Sequence, residues 1–68
     1  MLTKTQIVLF IYDELIHKRK INTTTVLGEF HISLRTFRRY ISEINVYFSN
    51  FYKNEEIKYN RSEKHFYI

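Results

Sequence analysis

The sequence has no cysteine, no proline and no tryptophan, and it has a single glycine among 68 residues. Without cysteine there is no disulfide bond and no thiolate ligand for a metal ion, and the three scattered histidines make a poor set of zinc ligands. Without glycine-rich or proline-rich stretches there is no low-complexity linker and no loop of the kind that cradles a phosphate. Stability must therefore come from side-chain packing, to which a partner subunit could contribute.

Long apolar runs are also missing. The nearest approach, IVLFIY, covers residues 7–12 and ends at Asp13 and Glu14, whereas a membrane-spanning helix needs about 20 apolar residues. The start of the chain has a single Lys4 and no small-residue cleavage site after it, so we expect no signal peptide. These absences predict a cytoplasmic protein without membrane association.

The residues that are present suffice for a small core. Apolar residues make up 44% of the chain and aromatic residues 18%, which is typical of a folded domain rather than a disordered tail. A chain of this size supports one core, so we expect a single domain over residues 1–68. Eleven Lys and Arg against seven Asp and Glu give a net charge of +4, an excess that favours a polyanionic partner.

The first helical pattern begins with a capping box formed by Thr3 and Gln6, and it predicts a helix from Lys4 to about His17. The basic run at residues 17–20 falls in its last turn, where cations suit the helix dipole. Direct contact with a nucleic acid is the alternative role for that run. The apolar residues that recur at helical spacing in this segment are Ile7, Phe10, Ile11 and Leu15.

A second, shorter helix is predicted from about Thr23 to Phe30, with Asn22 as its N-cap. Ile21 before it stands as an isolated apolar residue between two helices. Ser33 can cap a third helix, so the second and third helices are joined by about three to four residues. This spacing is that of a helix-turn-helix unit.

The third helix separates its residues into two faces when they are placed about 100° apart around the axis. The residues expected to form the buried stripe are Phe37, Ile41, Ile44 and Phe48. The opposite face is expected to carry Arg35, Arg38, Arg39, Ser42 and Ser49. A solvated helix surface normally mixes charges of both signs, whereas this face carries positive charge alone. Single-sign charge on the second helix of such a unit favours DNA binding over a merely solvated surface.

The last segment, IKYNRSEKHFYI, alternates as two short strands around a turn at Arg61 to Lys64. Ile57 and Tyr59 are expected on one side of the pleat, where Phe66 and Ile68 meet them. The basic residues expected at or near the hairpin tip are Lys58, Arg61, Lys64 and His65. Because exposed turns are commonly polar, the tip alone is equally compatible with plain solvation.

The stretch VLGEFHISLRTFRRYISEI, residues 26–44, resembles the winged helix-turn-helix domains of DeoR-type and WYL-associated bacterial transcription regulators. The resemblance extends over nearly the whole chain and implies an α+β fold of three helices followed by a two-stranded hairpin, the wing. The residues at motif positions before the third helix are Val26, Leu27, Phe30, His31, Ile32 and Ser33. Those within the helix are Arg35, Thr36, Phe37, Arg38, Arg39 and Ile41.

Two residues depart from the family pattern. His31 replaces a turn glycine, and because histidine tolerates left-handed backbone better than most residues, we expect the turn to persist with some strain. Tyr40 replaces an aspartate, which removes a carboxylate that could orient an arginine. The helix is therefore more basic than the pattern implies.

These patterns predict a sequence-specific DNA-binding transcription regulator, such as a repressor, with the third helix in the major groove. Arg35 and Arg38 are expected at base edges, with Ser42 on the same face. The residues expected at phosphates are Ser33, Thr36 and Arg39, with Arg61 and Lys64 on the flanking backbone. No Ser, His and acid occur in a recognisable catalytic order, and the sequence-adjacent acidic pairs would diverge, so we expect no enzymatic activity, no cofactor and no small-molecule ligand.

The third helix also carries more aromatic surface than two short neighbours can cover. That excess could seat a second copy of the chain, and a winged helix that serves as a protein-interaction module is the competing interpretation. The residues expected at such an interface are Tyr40, Tyr47, Phe51 and Tyr52.

Overall fold

The computed structural model describes residues 2–51 and 54–68. In those ranges the elements are α1 (Lys4–Lys18), β1 (Lys20–Asn22), α2 (Thr23–Phe30), α3 (Leu34–Phe51), β2 (Lys58–Asn60) and β3 (His65–Tyr67). Three helices and a small antiparallel sheet make an α+β fold, as predicted. The helices over this part of the chain are too short or too polar to cross a membrane.

Each helix begins at the polar residue that the sequence indicates. Thr3 forms the expected capping box, in which its Oγ1 accepts from the Gln6 N–H at 3.2 Å and its own N–H donates to Gln6 Oε1 at 3.0 Å. Asn22 caps α2 by accepting from the backbone N–H of Thr25 at 3.0 Å. These side chains satisfy N–H groups that have no partner within their own helix.

The basic run at residues 17–20 spans the end of α1 and makes charge pairs with carboxylates. Lys18 lies 3.2 Å from Glu14, one helical turn earlier. Arg19 ends the helix in a left-handed conformation with φ 64°, and its guanidinium lies 3.5 Å from Glu55. His17 lies 3.0 Å from Asp13, so three of the four side chains of the run lie next to carboxylates of this chain.

The sheet has three strands in the order β1-β3-β2, with both pairs antiparallel. Phe66 lies in the central strand, opposite Ile21 on one side and Tyr59 on the other. The predicted two-stranded hairpin is present as β2 and β3, but the sheet has a third strand, β1, that was not predicted. Ile21 belongs to a strand of only three residues with polar neighbours, so no alternation could reveal it, and its partner strand lies more than forty residues further along the chain.

The core lies between the helices and the inner face of the sheet. Its buried residues are Ile7, Ile11, Leu15, Ile21, Val26, Phe37, Ile41, Ile44 and Phe48. This confirms the predicted stripe of the third helix in full. In α1 the prediction fails at Phe10, which is 37% exposed because it lies at the edge of the stripe, where its ring packs edge-on against Phe30 with centroids 5.0 Å apart.

Candidate nucleic-acid interface

The start of α3 is fixed by the turn that precedes it. His31 ends α2 in a left-handed conformation with φ 53° and ψ 42°, as expected from its place in the turn. Ser33 then caps α3 by accepting from the backbone N–H of Thr36 at 3.1 Å. The Ser33 hydroxyl also donates to Thr36 Oγ1 at 3.0 Å, which leaves the Thr36 hydroxyl proton available to an outside acceptor.

Three arginines form the outer face of α3, and we call Arg35, Arg38 and Arg39 the arginine face. All three are exposed, and none pairs with a carboxylate among residues 2–51 and 54–68. The acidic residue within the helix, Glu43, instead lies 3.2 Å from Lys4 on α1. The face therefore presents positive charge that nothing in the described chain neutralises.

The arginine face has a rigid support. On the opposite side of α3, Phe37 and Phe48 are completely buried, and Ile41 and Ile44 are nearly so. Ser42 is exposed beside the arginines, as predicted. Because a packed core allows little rotation of the helix, the guanidinium groups project from fixed points on the backbone.

The hairpin turn lies at residues 61–64, where the sequence places it. Asn60 Oδ1 accepts from the N–H of Glu63 at 3.0 Å inside the turn. Lys64 adopts a left-handed conformation with φ 54°, and its carbonyl accepts from the N–H of Thr23 at 3.4 Å. The turn is therefore anchored to the start of α2, while the side chains of Arg61 and Lys64 remain exposed.

The predicted basic cluster at the hairpin tip forms only in part. The His65 side chain is 14% exposed, with its Nδ1 4.0 Å from the Glu63 carboxylate. Lys58 pairs with Tyr67 across the strands and lies in a cleft shared with Glu55. β2 ends before the turn, and its side chains alternate between the two faces of the sheet. Of the four basic residues predicted at the tip, only Arg61 and Lys64 therefore lie there.

A groove of about 340 Å³ separates α3 from the hairpin. It is lined by Arg38, Ile41, Ser42, Asn45, Tyr59 and Phe66. Four of these residues are not among the predicted site residues: Ile41, Asn45, Phe66 and Tyr59, of which Tyr59 is the one that carries a hydroxyl. Alternation in the hairpin predicts its side of the pleat, but only the tertiary packing brings that side next to α3.

A wider cleft of about 520 Å³ lies away from the arginine face, between α1, α2 and the hairpin turn. Its lining mixes Glu14, Glu29 and Glu63 with Lys18 and Lys20. Acidic and basic groups in such proximity give no consistent attraction for a polyanion. In the described ranges, no group of three or more His, Asp or Glu residues is arranged to hold a metal ion.

Two of the four residues predicted at an aromatic interface, Tyr47 and Phe51, are exposed. Tyr47 and Phe51 are 41% and 70% exposed, and their ring centroids lie 4.9 Å apart. Tyr40 is half-buried, with Lys4 Nζ 5.8 Å from its ring centroid. Tyr52 lies outside the described residues. We call Tyr47 and Phe51 the aromatic surface.

Comparison with known proteins gives no relative for this chain: no family model, no curated protein and no solved structure matches it. The function must therefore be argued from the geometry of the arginine face and its surroundings.

Proposed function

We propose that this chain is a winged helix-turn-helix domain that binds double-stranded DNA, with α3 as the recognition helix and the β2–β3 hairpin as the wing. The observation that carries this proposal is the arginine face, whose three exposed guanidinium groups lie on a rigid helix and have no carboxylate partner in the described chain. Duplex DNA supplies a dense array of negative charge that such a face can neutralise.

In this arrangement the first half of α3 enters the major groove. Arg35, in the first turn, reaches a base edge, for which a guanidinium paired with guanine O6 and N7 is the commonest specific contact. Ser33, Thr36 and Arg39 contact phosphates, and Arg61 and Lys64 contact the flanking backbone. This assignment of base and phosphate contacts follows from position along α3, because the first-turn side chain projects furthest along the helix axis toward the base edges.

The likeness of residues 26–44 to DeoR-type and WYL-associated regulators supports the same proposal. It suggests a bacterial, cytoplasmic transcription regulator, such as a repressor, and no enzymatic step. A single domain of this kind buries roughly 600 to 1,000 Å² on DNA. We therefore also propose that two copies act together on neighbouring half-sites about one helical turn apart.

The proposal is tested by titrating the protein against a fluorescently labelled random-sequence duplex at 50 mM and 200 mM salt. We expect binding that weakens steeply with salt, by roughly 100-fold if about four cationic side chains contact phosphates. The variant Arg35→Gln with Arg39→Gln should bind less tightly at the lower salt concentration, because it removes the proposed phosphate contact of Arg39 and the positive charge of Arg35. No duplex binding by the wild-type protein at either salt concentration would refute the proposal.

A matched control separates this face from general positive charge. Lys18→Gln with Lys20→Gln also removes two charges, but from the end of α1 and from β1, so it should leave affinity nearly unchanged. Equal losses in the two double variants would mean that net charge, rather than the arginine face, accounts for binding.

A second candidate function is a protein-interaction module. It is favoured by the aromatic surface, where Phe51 is 70% exposed beside Tyr47, since exposed aromatic rings are enriched at protein interfaces. Absence of duplex binding together with self-association that depends on Phe51 would favour this function over DNA binding.

A further inference from the structure

The groove between α3 and the hairpin combines a cation, hydroxyl donors and an aromatic ring. Arg38 and Ser42 contribute from the helix, and Tyr59 contributes from β2. Tyr59 is 44% exposed, although it lies within the sheet. A guanidinium and hydroxyl groups are the donors that proteins use for phosphate oxygens.

Both walls of the groove are held in place. The Tyr59 ring packs on Phe66 with centroids 4.9 Å apart, and Phe66 packs in turn on the buried Phe37 of α3 at 5.5 Å. Asn45 on α3 accepts from the N–H of Ile57, just before β2, at 3.1 Å. These contacts make the groove pre-formed, so a ligand there requires little ordering of the protein.

The charge around the groove has one sign. None of the residues that line it carries a carboxylate, and Glu43 pairs with Lys4 on the α1 side of the helix. Glu55 and Glu56 lie in a different cleft, which contains Lys58 and Tyr67 from the other face of the hairpin. An anionic group in the groove therefore meets Arg38 without a competing negative charge from its walls.

We propose that this groove holds one phosphodiester group of a DNA strand, at the point where that strand passes between the recognition helix and the wing. Arg38 pairs with the phosphate, the hydroxyls of Ser42 and Tyr59 donate to its oxygens, and the Tyr59 ring lies against the adjoining deoxyribose. The inference rests on the proposed DNA-binding function and deepens it. It also assigns Arg38 to the backbone, whereas the sequence alone suggests a base edge.

The test uses a duplex that the protein has selected from a random pool, with single phosphates replaced one at a time by uncharged methylphosphonates. We expect wild-type affinity to fall at each contacted linkage, and by about tenfold at the one held in the groove, since hydrogen bonds to a charged group are strong. Arg38→Gln and Tyr59→Phe should each bind the unmodified duplex several-fold more weakly. Arg38→Gln should then be nearly insensitive to the methylphosphonate at that linkage, and Tyr59→Phe, which keeps Arg38, should show a smaller loss there than the wild type.

Tyr67→Phe is the matched control, because it also removes a tyrosine hydroxyl. Tyr67 follows Phe66 in β3, so its side chain lies on the other face of the sheet. Its affinity and its response to each methylphosphonate should equal those of the wild type. Ser42→Ala is an independent test of the groove, because it removes the hydroxyl that α3 contributes to it. Thermal unfolding of each variant shows whether the fold is intact.

The outcomes separate the groove from the overall proposal. Failure of the wild type to bind any duplex contradicts the DNA-binding function itself. Duplex binding in which Tyr59→Phe and Arg38→Gln keep the full response to every methylphosphonate overturns the groove assignment alone. If Arg38→Gln lowers affinity for the selected duplex but not for random duplex, Arg38 contacts a base. If the protein binds single-stranded DNA more tightly than duplex, the groove holds a base stacked on Tyr59 and not a phosphate. Either result overturns the assignment.

Discussion

Phe37 and Phe66 pack edge to face, with ring centroids 5.5 Å apart and planes inclined at 72°. Phe37 belongs to α3 and Phe66 to the central strand of the sheet, so this contact sets the position of the hairpin relative to the arginine face. We expect Phe66→Ala to lower the free energy of unfolding by about 2 to 3 kcal/mol, at or below the lower end of the range for fully buried Phe, because the ring is partly buried against the core. Urea denaturation measures the change.

Phe51→Ala is the control for that substitution, because its ring is 70% exposed. It should change the free energy of unfolding of the monomer by less than about 0.5 kcal/mol. Similar effects of the two substitutions would show that the contact between Phe37 and Phe66 does not support the fold as described.

Arg35→Ala tests base recognition. Because Arg35 lies in the first turn of α3 and is exposed, we expect a loss of about 1 to 3 kcal/mol on a selected duplex and a relaxed sequence preference. Anisotropy titrations on selected and random duplexes measure both. An equal loss on the two duplexes would identify a phosphate contact instead.

Arg61→Ala combined with Lys64→Asn tests the wing. Asparagine is chosen because Lys64 has φ 54°, a conformation that asparagine accepts more readily than alanine. Binding should weaken alike on all sequences, and the slope of log affinity against log salt should fall by up to about two. An unchanged slope would mean that the hairpin tip points away from DNA.

Tyr47→Ser combined with Phe51→Ser tests self-association through the aromatic surface. We expect sedimentation at micromolar concentration to show a dimer for the wild type and a monomer for this variant, because the rings supply apolar area at the proposed interface. Thr24→Ala, an exposed change on α2, should leave the mass unchanged. A wild-type mass of one chain would exclude the dimer.

His31→Gly tests the strain in the turn before α3. His31 has φ 53°, where a Cβ atom is unfavourable and glycine is not. The free energy of unfolding should rise by about 1 kcal/mol, since helices commonly end in a left-handed glycine. A fall in thermal stability would show that the histidine side chain makes contacts that outweigh the strain.

The sequence predicts the parts of the fold that depend on local pattern. N-caps at Thr3, Asn22 and Ser33 each rest on hydrogen bonds between residues three apart, and the stripe of α3 repeats at helical spacing. Such signals lie within one turn of helix and need no knowledge of distant partners. The exposed arginine face follows from the same periodicity.

The missed features depend on contacts between distant segments. Ile21 becomes a strand residue only because Phe66 lies opposite it. Tyr59 joins Arg38 in one groove only because the hairpin packs against α3. The His65 side chain is largely buried although the two residues before it, Glu63 and Lys64, are charged and exposed. No local sequence pattern predicts contacts between such distant segments, so only the tertiary structure reveals them.

The central position of β3 has a consequence for the order of folding. Its hydrogen-bonded partners are β2, across a short turn, and β1, more than forty residues away along the chain. Pairing of β2 with β3 closes a short loop. Pairing of β1 with β3 closes a much longer loop and therefore costs more conformational entropy. We therefore expect the hairpin of β2 and β3 to form before β1 docks against it. Amide hydrogen exchange should be faster in β1 than in the buried turns of α3, because opening that one ladder leaves the helices in place.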